Sequence, residues 1–202
     1  MDGFPSSWLD YLEIVKPFFD SCSNQNVLEI GPFGGWHTEI IEKTNPKSVT
    51  LVEPNPDAIE VLKNKFPDYT VINGDIYDFV ETPQPFDVVV CCGVLYHFHS
   101  PIYLLEKIVN NCNPNTVIIE SLFSGGNDIN GVTIGNEVDN TPGSRYFDKK
   151  SAKMNIVYHV NVIIRAMKNL GYNLLVKEEI KMLDGGSKEH VTMLIFENNE
   201  KN

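Results

Sequence analysis

No stretch of this 202-residue chain approaches the roughly 18–20 consecutive apolar residues that a membrane-crossing helix needs, and Met1–Pro5 lacks the basic and apolar regions of a secretory leader. Cysteine is scarce. Cys22, Cys91, Cys92 and Cys112 form no CxxC pair and show no metal-ligand spacing, so neither a disulfide scaffold nor a metal module is expected and the thiols read as reduced. Positive charge is short as well. The 16 Lys and Arg face 27 Asp and Glu, a net charge of −11, which argues against a surface that grips nucleic acid as a whole. Internal repeats and Ser/Gly-rich linkers are missing too. What remains is an ordinary globular composition, 42% hydrophobic and 21% charged, in a length that suits a single domain over residues 1–202. A soluble cytoplasmic protein is expected, and one local basic stretch, Arg145–Lys168, sets six basic residues against Asp148 alone.

Short β-branched runs alternate with segments of helical period, the signature of an α/β fold. A first helix is expected from Ser6 or Ser7 to about Asp20, followed by a buried strand at Val27–Ile30. The turn Gly31–Gly35 leads to a helix through Ile41. Strands follow at Val49–Val52 and Tyr69–Ile72, with Asn55-Pro56 capping the helix between them. Phe86–Cys92 is continuously apolar after Asp87, as suits a central parallel strand covered on both faces. Ser100-Pro101 caps a helix to about Cys112, and Thr116–Ser121 is a fifth strand. The Gly/Asn-rich stretch over residues 122–158 is read as a long substrate loop or lid. A helix over Asn161–Leu170 and a hairpin turning at Asp184–Ser187 complete a doubly wound, seven-stranded, mostly parallel α/β sheet with a C-terminal antiparallel hairpin and helices on both faces.

In such a sheet a ligand sits at the carboxyl ends of the strands where their order reverses. Here those ends are Glu29–Gly35 and Cys91–His97. Glu53, at the end of the second strand, is suited to two ribose hydroxyls, with Pro54 beside it, and Asp75 with Ile76 is suited to an adenine edge. Phe33 stands where a dinucleotide loop needs its middle glycine, so NAD is disfavoured. S-adenosylmethionine carries no phosphate. Its ammonium and carboxylate call for an acidic partner such as Glu29 and for close backbone at Gly31 and Gly35, while Cys92 and Gly93 complete the pocket. No metal ligand set is read.

With these elements in order, the sequence resembles the class I adenosylmethionine-dependent methyltransferases over nearly its whole length. Gly93-Val94-Leu95-Tyr96-His97-Phe98-His99-Ser100-Pro101 resembles the G-V-L-Y-H-x-x-S-P signature of the bacterial tRNA wobble-uridine carboxymethyltransferases. Thr141-Pro142-Gly143-Ser144-Arg145-Tyr146 and Asn155-Ile156-Val157-Tyr158 resemble that family's P-G-D-R-Y and N-V-Y segments. The resemblance implies a Rossmann-like class I methyltransferase fold in which Tyr96 faces the transferable group and Arg145, Tyr146 and Tyr158 shape the substrate mouth, with Trp8 matching an upstream tryptophan. Family members hold the extra carboxylate of carboxy-S-adenosylmethionine, and help dock tRNA, through a basic upstream extension that Met1–Asn26 does not match.

The expectation is therefore plain methyl transfer by in-line displacement to a small or medium-sized acceptor. Should the acceptor need to lose a proton, His97 is the best placed base, with His99 and His159 behind it. Two other readings stay open: a tRNA wobble-uridine modifier that uses Arg145–Lys168 together with a partner or a second copy, and a noncatalytic cofactor-binding subunit.

Overall fold

A computed structural model of the chain describes residues 6–98, 100–123, 132–136, 154–184 and 187–201. Five strands run parallel: β1 (Asn26–Ile30), β2 (Ser48–Glu53), β3 (Thr70–Asn73), β4 (Val88–Cys92) and β5 (Thr116–Leu122). Two longer strands, β8 (Tyr172–Asp184) and β9 (Ser187–Asn198), form the expected hairpin, and the sheet order is β3-β2-β1-β4-β5-β9-β8. The order reverses between β1 and β4, which opens a crevice at their carboxyl ends.

Alternation along the central strands feeds two separate cores. Leu28, Ile30, Val89 and Cys91 face one side, where they pack with α4 (Ile76–Phe79), α5 (Pro101–Cys112) and α6 (Val160–Asn169). Val27, Val88, Val90 and Cys92 face the other, against α1 (Ser6–Val15), α2 (Trp36–Lys43) and α3 (Pro56–Lys65). This double cover explains why Val88–Cys92 is buried at every position. Tyr172 closes one end of the first core, where its hydroxyl donates to the Pro114 carbonyl at 2.6 Å.

Several local expectations need correction. The first helix does not run as one piece to Asp20. Pro17 lacks an N–H and crowds the preceding turn, so α1 ends at Val15 and a 3-10 segment, Lys16–Cys22, continues the path. Ser100 precedes α5 without a side-chain capping bond, whereas Asn55 does cap α3 by accepting from the Asp57 N–H at 2.9 Å. Within the stretch read as a loop, β6 (Val132–Asn136) and β7 (Met154–Tyr158) pair antiparallel as a separate two-stranded sheet. The four-residue α4, capped by Asp75, was not foreseen at all. No helix among the described residues is long and apolar enough to cross a membrane.

Candidate active site

The turn after β1 is set by its backbone. Gly31 and Gly35 sit at φ +63° and +77°, and a Cβ on Gly31 would come within 2.5 Å of Val94 Cγ1. Gly31 therefore lets the β1 and β4 loops touch across the crevice. Phe33 also adopts a left-handed conformation, at φ +48°, which is uncommon for a side chain of this size. Its N–H donates to Glu53 Oε2 at 3.0 Å, and the Asn55 N–H donates to Glu53 Oε1 at 2.9 Å. The Gly35 N–H is spent on the Pro32 carbonyl at 2.8 Å.

Glu53 is 5% exposed, and burial raises its proton affinity while its two backbone donors oppose that rise. Each carboxylate oxygen accepts one of these N–H groups and keeps a further acceptor position. Pro54 is exposed beside it, and Asn73 Nδ2 donates to the Glu53 and Pro54 carbonyls, each at 3.2 Å. Asp75 is exposed at the end of β3, with Oδ1 taken by the Tyr77 N–H at 2.7 Å, while Ile76 behind it is buried. The Gly74 N–H donates to the Glu53 carbonyl, which ties this corner to β2.

Glu29 is placed differently from the others. It is 2% exposed, and its Oε2 accepts from Thr38 Oγ1 at 2.6 Å, so its carboxyl braces the β1–α2 turn from within. Burial is the main cause that pushes its pKa up, to about 7, with the Thr38 bond opposing and Glu53 adding repulsion.

After β4, Cys92 is buried and the Gly93 N–H donates to the Glu120 carbonyl at 2.9 Å. Tyr96 and His97 lie in a single 3-10 turn with ring centroids 4.3 Å apart, both half-buried. The Tyr96 hydroxyl and Glu120 Oε2 each stand 3.8 Å from where a Cβ on Gly93 would be. Tyr96, Ser121, Phe123, Tyr158 and Ile163 help line a small, partly open pocket of about 10 Å³, room for about one water.

Contacts in the structure join Gly31 to Val94, Phe33 to Glu53, and Gly93 to Glu120 and Tyr96, while Asp75 bonds the Tyr77 N–H and Tyr158 shares a pocket lining with Tyr96. Trp8 falls in the first half of α1, where only the backbone is described, and Arg145 and Tyr146, like His99, lie outside the described residues. His159 caps α6, its Nδ1 accepting from the Asn161 N–H at 3.2 Å, which occupies one ring nitrogen of that reserve base.

The family profile described as "Methyltransferase domain" matches residues 9–175. The chain belongs to this methyltransferase domain family. The tRNA U34 carboxymethyltransferase of Wolinella succinogenes is 28% identical over 163 residues, 73% of this chain and 50% of that protein. The protein of the same name from Nautilia profundicola is 27% identical over 132 residues, 61% of this chain and 43% of that one. The chain therefore spans about half the length of these curated relatives or less. An S-adenosylmethionine dependent methyltransferase from Mesorhizobium loti superposes with a TM-score of 0.67 at 13% identity, over 95% of this chain and 98% of that one. The fold is that of the class I, Rossmann-like methyltransferases.

Within this methyltransferase domain, the sequence reading missed a polar cluster behind Gly93. Glu120, His37 and Tyr11 come together there although they belong to β5, α2 and α1. Glu120 is 6% exposed, and burial pushes its carboxyl up to about 7 against the pull of the Tyr11 hydroxyl. His37 is held down to about 4 by burial. One signal was available. An acidic residue that follows Ile118-Ile119 in a buried strand needs a partner, by the same reasoning that singled out Glu29.

Proposed function

We propose that the chain catalyses S-adenosylmethionine-dependent methyl transfer to a small or medium-sized acceptor. The observation that carries this reading is Glu53, whose two carboxylate oxygens are each fixed by one backbone N–H and each keep one acceptor position for a ribose hydroxyl. The donor set fits this cofactor better than a dinucleotide. A pyrophosphate needs free backbone amides, and those of Phe33 and Gly35 are already spent within the turn. Asp75 retains Oδ2 for an adenine amino group, and Gly31, Cys92 and Gly93 line the crevice between the ribose and the transfer end. Glu29 acts on the ligand through the turn it braces with Thr38.

When bound, the sulfonium supplies an electrophilic methyl whose leaving group needs no acid. The chain's task is then to align the acceptor and keep water out. Tyr96 and His97 do this from the turn after β4, with Tyr158 beside Tyr96, and the family resemblance assigns Trp8, Arg145 and Tyr146 to the acceptor as well. For an acceptor that must lose a proton, His97 takes it.

Calorimetric titration with S-adenosylmethionine, S-adenosylhomocysteine, carboxy-S-adenosylmethionine and NAD, repeated on Glu53→Ala, tests the proposal. Binding of the first two, lost in the variant, is the expected result. Binding of NAD alone would sink it, and preference for the carboxylated cofactor would replace methyl by carboxymethyl transfer.

A tRNA acceptor is the second reading, supported by the names of the relatives and by Arg165 and Lys168, which stand exposed three residues apart on α6. Its mark is RNA binding that falls steeply with salt and weakens in Arg165→Ala/Lys168→Ala. An absence of binding at low salt dismisses it.

A further inference from the structure

Behind Gly93, on the side away from Glu53, three donor atoms from three separate elements converge. His37 Nε2 from α2, Cys92 Sγ from β4 and a Glu120 carboxylate oxygen from β5 all lie within 4.8 Å of one another, with the imidazole and carboxylate 3.9 Å apart. The imidazole is clamped. Phe19 stacks on it at 5.7 Å between centroids and 19° between planes, and Tyr11 meets it edge-on at 6.3 Å. Its Nε2 is buried and has no hydrogen-bond partner among the described residues.

A buried imidazole nitrogen and a buried carboxyl are each unfavourable in an apolar interior unless paired, hydrogen-bonded or bound to a metal, and the Cys92 thiol beside them is a third donor once it loses its proton. The Tyr11 hydroxyl answers part of the need of Glu120, but His37 Nε2 stays unmet, because 3.9 Å to Glu120 Oε2 is beyond hydrogen-bond reach. That spacing is close to what a shared ion requires: ligands at about 2.0–2.3 Å from a tetrahedral centre stand roughly 3.6 Å from each other. The three atoms, no more than 4.8 Å apart, reach that spacing by shifts of about 1 Å in the Glu120 and Cys92 side chains, with the imidazole left between its rings. The chemistry of the donors narrows the ion. Imidazole, thiolate and carboxylate suit a borderline-soft transition metal, whereas magnesium and calcium take shells of oxygen. One thiolate and one carboxylate also neutralise a divalent charge, which makes burial of the whole assembly acceptable.

We infer that His37, Cys92 and Glu120 form a three-residue site for a divalent transition metal, zinc foremost, beside the Gly93–Tyr96 end of the crevice. The spacing of 37, 92 and 120 along the chain has none of the regularity of a zinc module, so only the fold assembles the set. Binding displaces the Cys92 thiol proton, so uptake weakens as pH falls. Three protein ligands leave a fourth position for water or for an acceptor atom, the arrangement of catalytic rather than structural zinc.

The test uses the purified chain, stripped with a chelator and dialysed against Zn²⁺ or, separately, Mg²⁺, with bound metal read by mass spectrometry. Retention of one zinc per chain and no magnesium is expected. Loading with Co²⁺ should give a thiolate-to-cobalt charge-transfer band that Cys92→Ser abolishes, and His37→Gln should lower zinc affinity about tenfold or more. A stripped wild-type chain that takes up no zinc overturns the inference without recourse to any variant. So does a cobalt spectrum that lacks the thiolate band, or one unchanged in Cys92→Ser. Cys22→Ser, a buried thiol outside the trio, is the control that should retain metal. The cofactor titration with S-adenosylhomocysteine is a separate readout, and its failure leaves the zinc result standing.

Discussion

Replacing Glu29 by Gln preserves the shape of the side chain and a partner for the Thr38 hydroxyl while removing a buried titration. With its pKa pushed up to about 7 from the ordinary 4.5, Glu29 keeps its proton in the folded chain over a range where the unfolded chain has released it. Below pH 4.5 both states are protonated and nothing is lost. As pH climbs from 4.5 to 7, each unit removes about 1.4 kcal/mol from the folded state, roughly 3 kcal/mol in all, and above 7 the loss levels off. The carboxyl is almost wholly removed from solvent, at 2% exposure, so screening does not shrink this figure. Urea unfolding of the wild type and Glu29→Gln at intervals from pH 4.5 to 8 should therefore show the variant gaining on the wild type by roughly 3 kcal/mol, a relative midpoint shift of about 1 M. Thr38→Val removes the one bond that opposes the rise and should extend the slope to higher pH. A difference between Glu29→Gln and the wild type that stays flat within about 1 kcal/mol over the whole range would refute the reasoning, because Glu29 would then ionise as freely folded as unfolded.

Gly31→Ala places a Cβ 2.5 Å from Val94 Cγ1 at a φ of +63°, and should cost about 2 kcal/mol or more in thermal or urea unfolding, with weakened cofactor binding. Asn55→Ala removes the α3 cap and should cost about 1 kcal/mol, read as a lower unfolding midpoint at unchanged slope. Tyr172→Phe leaves the Pro114 carbonyl without its 2.6 Å donor and should cost about 1–2 kcal/mol, while leaving S-adenosylhomocysteine affinity alone because this corner is remote from the crevice. Glu53→Ala should reduce S-adenosylmethionine affinity by about tenfold or more, since it takes away both ribose acceptors and the tie to Phe33.

The parts of the fold that could be read ahead are those where one physical demand dominates. A strand covered on both faces must be apolar at every position, so β4 announced itself in Phe86–Cys92 by the unbroken apolar run after Asp87, and Asn55-Pro56 joins a cap to a residue preorganised for the first turn. The parts that could not be read depend on partners distant in sequence. The pairing of β6 with β7 rests on a register between Val132–Asn136 and Met154–Tyr158 that no local period reveals. The turn of α4 is too short to display a period. At the site, glycines and acids at strand ends were legible because topology fixes what such ends face. Glu120 was passed over as one more strand residue, and His37 and Tyr11 as members of helices, because their meaning lies in one another's company.

The placement of β9 carries a consequence for how the molecule comes into being. The last strand in sequence is not an edge: it lies between β5 and β8, with Thr116 opposite Glu197 and Val117 opposite Phe196. Until that strand arrives, β5 presents an open row of amides and carbonyls on an apolar ribbon, the kind of surface that recruits other chains. Contacts so distant in sequence also form slowly, since their closure entropy is met before any pairing offsets it. A nascent or truncated chain that stops short of Ser187 would thus expose a sticky flank of an otherwise nearly finished sheet, and its fate would be association rather than folding.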